Sequence, residues 1–272
     1  RADAVVMPGD VSSQYITAMM LIAPYVPGGL KLWLSSGLVS RPYLEMTQAV
    51  MSAFGHDGVD LRDRHVTVEP GEYWPTEFTV EPDASSASYP LAAAAMVGGA
   101  VSVRGLGSSS LQGDARFVDI LASMGCIVTQ GSHDTVVMRR RDTPLRGVEV
   151  DMADVSDLVP TLAVVATQAV TPTRITGVGF IRAKESDRLG DLADELRRTG
   201  AVVTVEPDGL LIEPTDLLHG ARLFTHHDHR LAMAFGLLGL VVDGIEVVEP
   251  AVVSKSWPSY WDALAAIPSR LL

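Results

Sequence analysis

Four times along this chain an aspartate beside small or hydroxylated residues leads into an apolar run. The segments are Asp10-Val11-Ser12-Ser13-Gln14, Asp83-Ala84-Ser85-Ser86-Ala87, Asp157-Leu158-Val159-Pro160-Thr161 and Asp228-His229-Arg230-Leu231-Ala232. With the aspartates at 10, 83, 157 and 228, the openings recur 73, 74 and 71 residues apart. A fixed period constrains the fold more than any single element does. Each repeat must be one supersecondary unit that buries its apolar face against its neighbours.

The third unit shows the order of elements. An apolar run over 158–169 predicts a helix, and the β-branched stretch 173–177 a strand. Over 185–198, Leu189, Leu192, Ala193 and Leu196 fall at helical spacing, with Gly200 as the stop. Strands at 201–205 and 210–213, joined by Pro207-Asp208-Gly209, predict a hairpin. The second unit repeats the order with 91–97, 100–103, 115–124, 127–129 and 136–138. Pro90 would break a helix interior, so it is expected in a first turn, where its missing N–H costs nothing.

Composition enters by exclusion. Forty-seven per cent apolar residues suffice for a packed core. A net charge of −12 opposes nucleic acid and anionic membrane surfaces, which need a field of the opposite sign. The single cysteine, Cys126, cannot form an internal disulfide, and no secretory leader or run of 18 apolar residues occurs, so a cytoplasmic protein is expected. The chain begins at Arg1 without a methionine and soon reaches Pro8-Gly9-Asp10, as the middle of a longer protein would; an incomplete form is expected.

An acidic chain can hold an anion only through locally concentrated cations. Helix starts add unpaired N–H groups and partial positive charge, although each Asp or Ser opening could be an ordinary cap. Lys184-Glu185-Ser186-Asp187-Arg188 mixes cations and carboxylates, and on a helix Lys184 and Arg188 would share a face, with the carboxylates or an anion relieving their repulsion. His226-His227-Asp228-His229-Arg230 opens directly into the apolar run 231–240. An arginine at such an entrance can grip a carboxylate or phosphate with two parallel hydrogen bonds. The histidines there lack the spacers of a zinc site, so no metal is expected. Lys255, in Ser254-Lys255-Ser256-Trp257-Pro258, is a third basic point.

Taken together with Ser40-Arg41-Pro42-Tyr43, these segments resemble the 5-enolpyruvylshikimate-3-phosphate synthases over nearly the whole chain, in order. The specific elements are Lys184 to Arg188 and Asp228 to Met233. The resemblance implies an α/β (α+β) fold, the enolpyruvyl transferase-like inside-out α/β barrel of βαβαββ repeats around buried helices, with substrates held between two domains. Residues 1–80 would be the C-terminal part of an incomplete N-terminal domain, and 81–272 a complete C-terminal domain of three repeats.

It implies transfer of the enolpyruvyl group of phosphoenolpyruvate to the 5-hydroxyl of shikimate 3-phosphate, by addition and then elimination of phosphate. Asp157 would be the base and would contact the shikimate hydroxyls, while Glu185 and Lys184 would handle the proton at the methylene carbon. Lys184 would also touch shikimate 3-phosphate, together with Ser12, Ser13, Gln14, Ser40 and Tyr43. Arg188, Arg230 and Lys255 would hold phosphoenolpyruvate. No cofactor or metal is implied, and the full-length protein would be a monomer. The alternatives are the related transferase acting on UDP-N-acetylglucosamine, or an inactive fragment that binds anions. Phe180 stands where many members carry Asn or His, and His226 and His227 stand where other residues are usual.

Overall fold

The computed structural model describes residues 3–267, for Asp3 the backbone alone. It divides into two compact units: one runs up to Glu81 and takes in Leu111–Gly113, the other holds Pro82–Ser110 and the chain from Asp114 onward.

The first unit is one complete repeat: β1 (Asp3–Met7), α1 (Ser13–Ile22), β2 (Leu30–Leu34), α2 (Arg41–Ala53), β3 (Val59–Leu61) and β4 (His65–Val68). Its sheet order is β1-β2-β4-β3, with β1 and β2 parallel and the other pairs antiparallel. Alternation along β2 turns Leu30, Leu32 and Leu34 inward, onto Ile16 and Met20 of α1 and Leu44 and Met51 of α2.

The second unit continues with α3 (Ala84–Val97), β5 (Gly99–Arg104), α4 (Phe117–Ser123), β6 (Ile127–Gln130) and β7 (Asp134–Arg139). Then follow β8 (Glu149–Asp151), α5 (Val159–Ala166), β9 (Thr173–Thr176), α6 (Gly190–Arg198), β10 (Val202–Glu206) and β11 (Gly209–Glu213). The last elements are β12 (Arg222–Phe224), α7 (His229–Leu238), β13 (Glu246–Val248) and α8 (Tyr260–Ala265). The sheet β8-β9-β11-β10 repeats the order and directions of the first unit's sheet. The sheets β5-β7-β6 and β12-β13 are smaller.

The centre is helical. α3, α5 and α7 pack on one another, and every residue of α5 is buried. A helix apolar on all sides has no face to offer water, so it ends inside, with the sheets outside it. The fold of this unit is therefore the inside-out α/β arrangement that the resemblance implies. α1 stands at the equivalent place in its own repeat but leaves Tyr15, Leu21 and Ile22 exposed.

Two local expectations fail. Pro90 lies within α3 rather than in its first turn, because Asp83 accepts the Ser85 N–H at 2.9 Å and starts the helix at Ala84. The helix expected over 185–198 starts only at Gly190. Ahead of it Asp187 accepts the N–H groups of Leu189 (3.2 Å) and Gly190 (2.9 Å), a local side-chain bond that competes with helical ones. Lys184 and Arg188 therefore do not share a helix face.

Candidate active site

Strand direction explains why scattered residues meet. In the second unit, Asp157 follows the C-terminal end of β8 and the Lys184 segment follows that of its parallel neighbour β9. Asp228 and Arg230 follow β12, and Lys255 follows its parallel neighbour β13. Parallel neighbours release their chains at the same edge, so the loops gather there. The β10–β11 hairpin fixes one of them: Asp208 accepts the N–H groups of Gly177 (3.1 Å) and Gly179 (2.7 Å), just ahead of the 3₁₀ turn Gly179–Ala183 that delivers Lys184. Gly209 permits this, since a Cβ there would fall 1.8 Å from the Ile175 carbonyl oxygen.

Arg188 is the hub, its side chain 1% exposed. Its Nη1 lies 2.8 Å from Asp157, its Nη2 2.6 Å from Glu185 and its Nε 2.6 Å from Asp228. Asp157 also takes Arg230 Nη2 at 2.8 Å and lies 3.7 Å from Lys184 Nζ. Lys255 Nζ reaches the other oxygen of Glu185 at 2.7 Å. Asp228 is fully buried and also accepts the Arg230 N–H (2.8 Å), capping α7, and the Ser186 hydroxyl (3.2 Å). Four cations thus share three carboxylates in one network.

The charges set the titrations. Burial alone would raise the Glu185 carboxyl, but the Lys255 hydrogen bond and the Arg188 charge bring it down from 4.5 to about 2. Burial acts the same way on Asp157 and is outweighed by Arg230, Arg188 and Lys184, so that carboxyl is also lowered. Burial pushes the Tyr89 hydroxyl up to about 12, against the pull of Arg230, its hydrogen-bond partner. Burial and the Arg230 charge together lower the His229 imidazole.

A carboxyl lowered in the fold stabilises fully above its unfolded value and loses that contribution as pH falls toward the folded value. Unfolding free energy is therefore expected to drop between about pH 4.5 and pH 2. Glu185 contributes about 1–2 kcal/mol of this, after discounting for solvent screening of a half-exposed group. Urea unfolding at pH 7, 4.5 and 3 checks it, and Glu185→Gln should flatten the decline.

The structure brings Asp157, Lys184, Glu185, Arg188, Arg230 and Lys255 together. Phe180 lies with its ring centroid 5.9 Å from Lys184 Nζ, a cation–π distance. Asp157 does not cap its helix, unlike Asp83 and Asp228; α5 has no side-chain cap, and this carboxylate goes to cations instead. The sequence reading missed Asp228 as the buried partner of Arg188 and Tyr89 as the partner of Arg230. For Asp228 the repeated aspartate at the helix opening was the available signal.

The hydroxyl set lies in the first unit. Ser12 caps α1, accepting the Gln14 N–H at 3.3 Å; Ser13 is buried and Gln14 exposed. Ser40 precedes α2 with φ 55°, and the Tyr43 N–H donates to its carbonyl at 3.2 Å. β1 and β2 are parallel, and the Ser36 hydroxyl joins the loops behind them, accepting the Gly9 N–H (2.9 Å) and donating to Asp10 (2.5 Å). The starts of α1 and α2, with these five residues, therefore lie at one edge of that sheet.

His226 and His227 form the centre of a tight turn, closed by the Asp228 N–H donating to the Thr225 carbonyl at 2.8 Å. Their φ values are 51° and 59°, a left-handed conformation that costs L-residues on the order of 1–3 kcal/mol each. Their rings face Asp191, Glu195 and Glu249, whereas His229 lies nearest Asp228.

Among the described residues no helix is long and apolar enough to cross a membrane. The family model described as EPSP synthase (3-phosphoshikimate 1-carboxyvinyltransferase) matches residues 1–264. The 3-phosphoshikimate 1-carboxyvinyltransferase of Methanosphaerula palustris is 46% identical over 260 residues, which is 96% of this chain and 61% of that protein. That of Methanoculleus marisnigri is 44% identical over 265 residues, 97% of this chain and 62% of its own length. A solved structure of EPSP synthase from Acinetobacter baumannii superposes with a TM-score of 0.80 at 25% identity, covering 99% of this chain and 63% of that one. The chain thus spans about three fifths of the length of the curated relatives it matches.

Proposed function

From the premise that this chain belongs to the EPSP synthase family, we propose that it carries the phosphoenolpyruvate-binding and proton-transfer groups of enolpyruvyl transfer to shikimate 3-phosphate. The supporting observation is the network in which Lys184, Arg188, Arg230 and Lys255 share Asp157, Glu185 and Asp228. Phosphoenolpyruvate brings a phosphate and a carboxylate, and these compete with the internal carboxylates for the same guanidinium and ammonium groups. Shikimate 3-phosphate is assigned to Ser12, Ser13, Gln14, Ser40, Tyr43, Asp157 and Lys184. The names of the relatives favour this acceptor over UDP-N-acetylglucosamine.

In the reaction Asp157 takes the proton of the 5-hydroxyl as its oxygen attacks the enolpyruvyl carbon, and the methylene carbon gains a proton. The tetrahedral adduct then expels phosphate, with a proton lost again from the methyl group. With its carboxyl near 2, Glu185 is ionised at neutral pH and cannot serve as an acid while Lys255 and Arg188 hold it. Phosphoenolpyruvate draws those cations away, the carboxyl rises, and Glu185 takes up the proton it delivers, beside Lys184.

Binding of phosphoenolpyruvate is therefore expected to take up protons. Calorimetric titration near pH 6.5 in two buffers of different ionisation enthalpy measures the uptake, and Lys255→Met should both weaken binding and change that number. The phosphate, with a second pKa of about 6, gives up part of a proton of its own at that pH. The same proton number in Glu185→Gln as in wild type would therefore contradict the role of Glu185, and no binding at all would remove the proposal. Turnover by the 272 residues alone is expected to be low, since about two fifths of the relatives' length lies outside them and positioning is worth several kcal/mol of barrier. Phosphate release with both substrates checks it.

A further inference from the structure

The turn at His226 and His227 is unexplained by the chemistry above, yet it leads straight into the buried Asp228. Its two rings stand in different surroundings. His227 lies 3.3 Å from Glu249, with side chains 82% and 56% exposed, an ordinary surface pair. His226 is two-thirds buried against α6: its Nε2 lies 3.0 Å from Glu195, whose side chain is 2% exposed, and its Nδ1 3.6 Å from Asp191.

Glu195 holds the entry to this turn. One of its oxygens accepts the Phe224 N–H at 3.0 Å, at the end of β12, and the other faces His226 just after it; Arg198 Nε is 3.2 Å away. A carboxylate this buried needs its donors, so α6 and the turn are tied by more than proximity. The turn in turn requires a conformation that L-residues avoid, and something must hold it there. Beyond it, Asp228 fixes the Nε of Arg188 and the first turn of α7.

We propose that His226 is a positioning residue for the cation network, clamping the Thr225–Asp228 turn to Asp191 and Glu195 of α6 so that Asp228 is presented to Arg188 and to the Arg230 N–H. The role of this network in binding rests on the function proposed above; the clamp itself does not.

The experiment uses the full 272-residue chain as wild type, His226→Gln, His226→Asn and His226→Leu. A glutamine amide places a donor near the position of Nε2 and keeps the Glu195 bond, whereas asparagine tolerates the left-handed backbone but is too short to reach it. Two measurements are made on each variant: exchange of the Arg230 amide hydrogen, which Asp228 holds, and phosphoenolpyruvate affinity by calorimetry. His226→Asn and His226→Leu are expected to speed Arg230 exchange at least tenfold and weaken phosphoenolpyruvate about tenfold, with amides of the β10–β11 hairpin unchanged. His226→Gln should stay within about threefold of wild type in both. Unchanged Arg230 exchange in His226→Asn overturns the clamp whatever the affinities are, and so does a His226→Gln variant as impaired as His226→Leu. A wild type that does not bind phosphoenolpyruvate, with Arg230 exchange still accelerated in His226→Asn, overturns the proposed function and supports the clamp.

Discussion

Arg188→Met is expected to lower the unfolding free energy by about 3–5 kcal/mol and to abolish measurable phosphoenolpyruvate binding. The guanidinium is buried and meets three carboxylates from three different segments, Asp157, Glu185 and Asp228. Asp157 and Glu185 keep Arg230, Lys184 and Lys255 after the change. Among the described residues Asp228 keeps the Arg230 N–H, the Ser186 hydroxyl and an imidazole nitrogen 3.8 Å away, and it is fully buried. An uncompensated buried charge sets the scale of the loss. Arg188→Lys should recover little of it, since one ammonium on a flexible stem cannot reach three carboxylates in a fixed fork. Urea unfolding at pH 7 measures the effect, and a loss below about 1 kcal/mol would mean that the network adds nothing to the fold.

Arg139→Met is expected to cost about 3 kcal/mol for a different reason. Arg139 ends β7 and is buried, and it donates to the carbonyls of Ala95, Met96, Arg140 and Thr143. Ala95 and Met96 belong to the last turn of α3, whose carbonyls have no partner further along the helix. The arginine satisfies them and sets a positive charge at the negative end of the helix dipole. Methionine fills much of the volume and leaves those buried acceptors unpaired. Denaturant unfolding of Arg139→Met and Arg139→Lys reads the effect, with lysine expected to fall in between.

Much of the fold could be read in the residues because a repeat states the same information several times. The spacing of Asp10, Asp83, Asp157 and Asp228 marks the unit, and the apolar composition of 159–166 and 231–238 marks helices with no face for water. The hairpin at Pro207-Asp208 was equally plain, since it depends only on local turn chemistry. The start of α6 was not, because Asp187 offered its oxygen to backbone N–H groups that a helix over 185–198 would have used. Pro90 lies in the helix interior because the cap at Asp83 starts α3 at Ala84, more than a turn before it.

In the site, the residue types and their order were visible, and so was the need for clustered cations in a chain of net charge −12. What the sequence by itself determined was therefore local and periodic: the unit, its central helices and the charged segments at their entrances. The tertiary structure alone decided partners. It sent Asp157 to Lys184, Arg188 and Arg230 instead of to a cap, buried Asp228 beneath Arg188, and placed His226 between Asp191 and Glu195. Caps and turns are settled within a few residues, whereas these ion pairs join segments separated by 27 to 73 residues, and which ones meet depends on parallel strands releasing their loops at one edge.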